Sequence, residues 1–246
     1  MDVVPGVAEL RPEHGPAFAV IGVFDGLHLG HAYLLEHLVR EAAARAARPT
    51  VITFDHHPDE VLTGTAPPLL LHPAERLERL AAAGVAVTVV QHFDDVVRRT
   101  TYDDFVHAIA SRAGLAGLLM TPDAAFGYQR AGTPDALAAL GAVDGFDVVV
   151  VEPFTLAGRP VRSSEIRTAI ADGDLATAAT LLGRPVTLRG RMVAGALELE
   201  HPHALPSEGS YPCAIGAARG TLTIANGRLL VNAAGVAAGP VELRFA

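Results

Sequence analysis

The chain has 246 residues, half of them hydrophobic, enough for one sizeable domain or for one domain with a smaller companion. Its formal net charge of −8 argues against a nucleic-acid or membrane-surface binder, since both need a basic face to meet phosphate. Cys213 is the only cysteine, which excludes an internal disulfide and a thiolate metal cluster.

The N-terminal stretch MDVVPGVAELRPEHGPAFAV has no basic segment leading into a long apolar run, and no later run is long enough to span a bilayer. These missing signals lead to the expectation of a cytoplasmic protein. Nothing in the sequence indicates an oligomeric state.

The first apolar run is AFAVIGVF (17–24). It lacks polar alternation, as expected of a strand buried on both faces. It runs into Gly22-Val23-Phe24-Asp25-Gly26-Leu27-His28-Leu29-Gly30-His31. A helix should follow, because Leu34, Leu35, Leu38, Val39 and Ala42 recur at helical spacing. A glycine-rich turn between a strand and a helix offers free backbone N–H groups and the positive end of a helix dipole to an anion. Gly22, Gly26 and Gly30 allow phosphate to approach the backbone. His28 and His31 share one face of the helix start. Two imidazoles there can donate to phosphate oxygens as charge builds in a displacement. The segment lacks the Gly-Lys-Ser/Thr of the Walker loop and is not a dinucleotide fingerprint. A competing reading converges His28, His31, His57 and Asp55 on zinc. It ranks lower, because there is no H-E-x-x-H and no cysteine pair.

The second strand, TVITF (50–54), ends in Thr53-Phe54-Asp55-His56-His57-Pro58, which sets polar groups at a strand terminus. A helix at 73–83, a strand at 85–90, a helix at 101–112 and a strand at 115–120 come next. Phe126-Gly127-Tyr128-Gln129-Arg130-Ala131-Gly132 follows, where Arg130 can pair with phosphate and Phe126 can pack beside a ring. After a helix at 133–140 and a strand within 146–154, two short helices are expected at 163–171 and 174–182, with Asp174 as N-cap and Gly183 as stop. Ser163 and Ser164 would open the first of them, where hydroxyls and free N–H groups can hold phosphate, and Arg167 lies one turn on. Strand and helix alternate in this way to about residue 183. That predicts an α/β fold: a Rossmann-like parallel sheet of about five strands with helices on both faces, binding ligand at the carboxyl ends of the strands. Beyond Pro185 the pattern changes. TLTIANGRLLV (221–231) reads as a hairpin around Asn226-Gly227. The expected domains are therefore 1–185 and a small C-terminal β module, a truncated barrel, over 186–246.

The loop at 22–31 resembles the G-x-F-D-G-x-H-x-G-H signature of the FMN adenylyltransferase (FAD synthetase) domain of bacterial bifunctional riboflavin kinases. H-x-G-H is shared by the wider nucleotidylyltransferase superfamily. Three further segments resemble that family in the same order. Residues 53–58 resemble T-F-D-P-H-P, with His56 for the first Pro. Residues 126–132 resemble F-G-x-x-R-x-G, preceded by Asp123 and by Ala124 where an aromatic is usual, and followed by Thr133 where an acid or amide is common. Residues 162–167 resemble I-S-S-T-x-I-R, with Arg162 for the first Ser. Leu181-Leu182-Gly183-Arg184-Pro185 matches the family at its domain end.

The resemblance implies that FMN and ATP give FAD and pyrophosphate, with Mg²⁺ accompanying ATP. It assigns catalysis to His28, His31 and Arg167. It assigns ATP binding to Gly22, Phe24, His28, Gly30, His31, Ser163, Ser164 and Arg167, and FMN binding to His57, Pro58, Asp123, Phe126 and Arg130. The partners implied are small molecules, without nucleic acid or membrane. Gly190 to Gly195 resembles the entry to the family's riboflavin kinase barrel, but the P-T-A-N segment of that barrel has no counterpart, so kinase activity is expected to be absent. The alternatives are a nucleotidylyltransferase for another phosphorylated acceptor and a non-catalytic flavin- or nucleotide-binding regulatory protein.

Overall fold

Five of the apolar runs become strands of one parallel sheet, and a sixth strand joins at its edge. The computed structural model describes residues 1–246. In chain order the first part contains β1 (Asp2–Val4), β2 (Ala17–Ile21), α1 (Leu29–Ala44), β3 (Arg48–Phe54), α2 (Pro58–Thr63), α3 (Pro73–Ala82), β4 (Val87–Gln91), α4 (Asp95–Arg99), α5 (Tyr102–Ala113), β5 (Leu115–Met120), α6 (Pro134–Asp144) and β6 (Asp147–Val150). The sheet order is β1-β4-β3-β2-β5-β6, and every pairing is parallel. β1 was not foreseen. It has three residues before Pro5-Gly6, too few to show a period. α2 and α4 were also not foreseen, for the same reason: six and five residues make less than two turns.

β2 and β3 are buried along nearly their whole length, which is why they read as unbroken apolar runs. Ala19, Ile52, Val87, Val89, Leu118 and Met120 form one core with Phe105, Val106 and Ile109 of α5 and Leu137 of α6. The pleat turns Phe18, Val20 and Val51 to the opposite face. Leu35 and Leu38 of α1 and Leu80 of α3 are buried outside that core, and Arg45, just past α1, lies over the Phe18 ring. The chain runs β2-β3-β4 one way and then β5-β6 the other, so the order reverses between β2 and β5. In such sheets ligands bind at that reversal, at the carboxyl ends of the strands.

The second part contains a two-stranded hairpin, β7 (Thr155–Leu156) and β8 (Arg159–Pro160), then α7 (Ser163–Ala171) and α8 (Leu175–Leu182). Asp174 caps α8 by accepting from the Thr177 N–H at 3.0 Å, and Gly183 ends it with a φ of 70°. Six antiparallel strands follow: β9 (Thr187–Val193), β10 (Ala196–Glu198), β11 (Gly209–Ile215), β12 (Ala218–Ala225), β13 (Arg228–Ala233) and β14 (Gly239–Phe245). They close in the order β10-β13-β12-β11-β14-β9. The barrel is thus complete, and its brevity shows in strand length, β10 having only three residues. The Asn226-Gly227 turn joins β12 to β13 with both residues at positive φ, as its sequence predicts. Inward residues such as Leu188, Leu222 and Leu243 are fully or almost fully buried. Cys213 is also buried, which pushes its thiol pKa up and leaves it unreactive.

Contacts divide the chain into two compact units. The first is Met1–Phe24, Gly30–Pro67 and Leu77–Phe154; the second is Asp25–Leu29, Pro68–Arg76 and Thr155–Ala246. α7, α8 and two short insertions from the N-terminal half therefore group with the barrel. No helix is long and apolar enough to cross a membrane.

Leu222 has no solvent exposure in the barrel. Leu222→Ala should lower stability by about 2–5 kcal/mol in urea denaturation, since deletion leaves a cavity as well as losing burial. A loss below about 1 kcal/mol would contradict the packing described for the barrel.

Candidate functional site

The loop from Gly22 to His31 contributes to both units, and each part is shaped by different neighbours. In the first unit, the Gly22 N–H donates to Ile52 O at 3.0 Å and prolongs the sheet ladder by one residue. The Thr53 hydroxyl donates to Val23 O at 2.9 Å. The strand-end segment 53–58 therefore holds the start of the loop. Phe24 is buried, with a φ of 53° in the left-handed region. Its ring lies 5.1 Å from that of His31. Phe24 is among the residues implied for ATP, and its side chain packs against that imidazole. Gly30 and His31 belong to the first turn of α1, which carries no acidic residue. The backbone N–H groups of a first turn lack intrahelical acceptors and favour an anion.

In the second unit the key residue is Asp25, only 4 % exposed. Both its carboxylate oxygens accept from the Leu70 N–H, at 3.1 and 3.0 Å. One of them also accepts from Arg167 Nη2 at 2.6 Å. Arg167 Nε donates to Pro68 O at 2.8 Å. The Ser163 hydroxyl, at the first position of α7, donates to Asp25 O at 3.1 Å. Arg184 donates to Gly26 O at 2.7 Å and to Leu27 O at 3.3 Å. Gly183 precedes it in the left-handed region, with a φ of 70° that favours glycine. Two donors of Arg167, expected to meet phosphate, are thus engaged with protein oxygens. Ser163 and Ser164 open α7 as the sequence indicates.

His28 is 5 % exposed. Burial, then the positive charges of Arg184 and Arg167, push its pKa down to about 4. It is therefore a neutral imidazole at neutral pH, able to donate through one ring N–H.

The first unit also holds an open cavity of about 710 Å³. Phe54, Phe93 and Phe126 give it aromatic walls, Gly22 and Val23 bring the start of the loop to it, and Arg98 and Arg130 supply charge. A smaller cavity of about 190 Å³ lies at the strand-order reversal, lined by Ile21, Met120, Ala124, Phe126 and Arg130 among others. Three residues implied for FMN, Pro58, Phe126 and Arg130, come together in the larger cavity. Two do not line it. His57 is the N-cap of α2 and accepts from the Asp59 N–H at 3.2 Å. The Asp123 carboxylate accepts from Thr121, and its carbonyl accepts from Arg130.

The zinc alternative does not assemble: the two imidazoles within ligand range of Asp55 are those of His56 and His92, and His28, His31 and His57 do not join them. Sequence reasoning missed Asp25, Arg184, Phe93 and Arg98. A lone acid inside a glycine-rich apolar loop was a usable signal for Asp25. Phe93 and Arg98 sit on short irregular segments with no motif.

A family model described as FAD synthetase matches residues 10–165. The bifunctional riboflavin kinase/FMN adenylyltransferase of Pseudomonas fluorescens is 33 % identical over 196 residues, 79 % of this chain and 63 % of that protein. The protein of the same description from Escherichia coli (strain K12) is 33 % identical over 199 residues, with the same coverage. The chain thus spans 63 % of the length of these curated relatives. Among solved structures, a crystal structure described as a macrolide-efflux protein from Streptococcus pneumoniae matches with a TM-score of 0.83 at 24 % identity, covering 99 % of this chain and 88 % of that one. At that identity the likeness is one of fold.

The buried His28 carries a pH dependence. Its pKa is about 4 when folded against an ordinary 6.5. Between these values the unfolded chain binds more protons, so stability rises with pH across the window and levels off above it. The loss from neutral pH to the foot of the window is about 3 kcal/mol from this group. Urea midpoints of His28→Gln should therefore vary less with pH across that window than those of the unsubstituted chain. Parallel profiles would assign the dependence elsewhere.

Proposed function

This chain belongs to the FAD synthetase family, and from that premise we propose that it transfers the adenylyl group of ATP to FMN, giving FAD and pyrophosphate. The observation that carries the reading is the aromatic cavity of about 710 Å³ in the first unit, whose lining includes Gly22 and Val23. Its phenylalanine walls suit a planar fused ring, and Arg98 and Arg130 suit a phosphate monoester.

An oxygen of the FMN phosphate attacks the α-phosphorus in line. A P–O bond forms there, and the bond to the β-phosphate bridging oxygen breaks, releasing pyrophosphate. The attacking monoester is already anionic at neutral pH, so no protein base is required. Catalysis rests on position and on stabilising the charge that develops. His28 acts as a neutral hydrogen-bond donor to an ATP phosphate, because its low pKa rules out a cation at neutral pH. His31, braced by Phe24, is assigned the contact that strengthens in the transition state. Gly22, Gly30, Ser163 and Ser164 complete the proposed ATP contacts. Arg167 contributes field while it holds Asp25. Mg²⁺ enters with ATP, held by phosphates and water. Asp25, the buried carboxylate of the loop, is occupied by Leu70 and Arg167 and fits that arrangement better than a protein-held ion.

We assign this chemistry to residues 1–185 and read 186–246 as a kinase-like barrel without riboflavin kinase activity, because its sequence has no P-T-A-N segment. Ala124, which lines the smaller cavity and stands where the resembled family pattern has an aromatic, favours one second reading, a different phosphorylated acceptor.

Purified protein given ATP, Mg²⁺ and FMN should produce FAD. Failure with FMN, alongside turnover of another phosphorylated acceptor, would move the assignment to the second reading. His31→Ala should lower kcat by about 100-fold or more with an unchanged circular dichroism spectrum, the scale seen when one transition-state donor is removed. Near-normal turnover in that variant would remove His31 from the mechanism. Riboflavin and ATP should yield no FMN, and FMN formation would overturn the reading of the barrel.

A further inference from the structure

The second unit contains a histidine cluster that the adenylyl-transfer chemistry does not use. The segment 68–76 is laid along the loop 199–204 by backbone pairing. The Leu69 N–H donates to Pro202 O at 2.9 Å, and the Ala204 N–H donates to Leu69 O at 2.8 Å. This pairing fixes three side chains near one another. His72 Nε2 lies 3.5 Å from a Glu200 carboxylate oxygen. One ligand atom from each of His72, Glu200 and His201 falls within 4.8 Å of the other two. The rings of His72 and His201 have centroids 5.6 Å apart. Glu200 and His201 also line an open cavity of about 690 Å³ on the barrel.

A second observation comes from His203. It is 6 % exposed, and its Nε2 has no hydrogen-bond partner. Its Nδ1 is 2.8 Å from His201 O. That carbonyl can only accept, so the proton is on Nδ1 and Nε2 presents a lone pair. Ligating imidazoles are held by the same Nδ1–H to carbonyl bond. The ring lies nearly parallel to that of His72, with centroids 6.4 Å apart and 16° between planes. A buried acceptor without a donor is costly.

We propose that His72, Glu200 and His201 bind one divalent transition cation of the zinc class, and that His203 accepts a hydrogen bond from water on the open fourth position. Two imidazoles and a carboxylate are an ordinary zinc set, and three protein ligands leave one position for water. Tetrahedral ligand atoms stand about 3.3–3.5 Å apart. The His72–Glu200 pair already meets that spacing at 3.5 Å. The exposed His201 closes the rest by side-chain rotation. Binding has a local consequence for His72. Its Nδ1 now accepts from the Ala74 N–H at 3.2 Å. With metal on Nε2 the ring proton moves to Nδ1, and that capping bond is given up. The cation exchanges a long helix-cap bond for a clip between the segment 68–76 and the barrel loop.

A second group, Asp55, His56 and His92, also falls within ligand range. It is the internal control, because it lies in the first unit and has no buried imidazole beside it.

The test is zinc titration of the full chain, without a histidine tag, against a chromophoric chelator, with cobalt substitution to read tetrahedral geometry. One equivalent should bind and raise the melting temperature. Glu200→Gln and His201→Ala, both at exposed positions, should each weaken binding more than about 10-fold, at least as much as removal of an outer-shell partner does. His92→Ala should leave it unchanged. Absence of binding, or binding that survives Glu200→Gln and disappears in His92→Ala, would overturn the proposal. Neither readout depends on adenylyl transfer.

Discussion

Burying a carboxylate costs several kcal/mol unless donors replace the water it loses, and in Asp25 those donors come from two distant stretches of chain. The Leu70 N–H belongs to a segment forty-five positions on, and Arg167 to a helix 142 positions on. Ser163 and Arg184 then take the carbonyls of Asp25, Gly26 and Leu27. The loop has no regular structure of its own to satisfy these groups. It holds one shape because side chains and one backbone amide from elsewhere in the second unit do so. The same contacts explain why an acid is tolerated at a site assigned to triphosphate. Paired with Arg167, it presents little uncompensated negative charge to an incoming anion.

His28 depends on the same arrangement. Arg167 and Arg184 bind loop oxygens, and their charge together with burial keeps the imidazole neutral. Two cations thus act first as struts and second as a field, while the imidazole is left as a directional donor. On the other side of the loop, Phe24 adopts a left-handed backbone and braces His31. A ring placed there steers a neighbour that bare glycine would leave free.

Legibility followed length and chemistry. α1, α5, α7 and α8 carry enough turns, or clear enough caps, to be read from spacing and, for α8, from Asp174 and Gly183. β2, β3 and β5 were visible because burial on both faces leaves no polar alternation. β1, α2 and α4 are too short to express a period. At the candidate site, the glycine-rich turn between β2 and α1 and the Ser163-Ser164 start of α7 were legible from their place at a strand end and a helix start. Arg98 and Phe93 were not, because any basic or apolar residue on an irregular segment reads as surface or core until tertiary structure aims it at a cavity. His57 shows the converse. It sits in a motif with binding potential, yet its ring caps the helix that follows.

The division of the chain also sets an order of events. A parallel sheet whose strands lie within the first 150 residues can assemble once those residues exist. The turn at 25–29 cannot, because the groups that fix it arrive with residues 163–184. Closing so long a loop is entropically slow, and contacts of high sequence separation form late. During synthesis the turn at 25–29 should therefore be the last part of the N-terminal half to acquire its shape. A nascent chain would present a finished sheet while the turn at 25–29 still lacks the side chains that fix it.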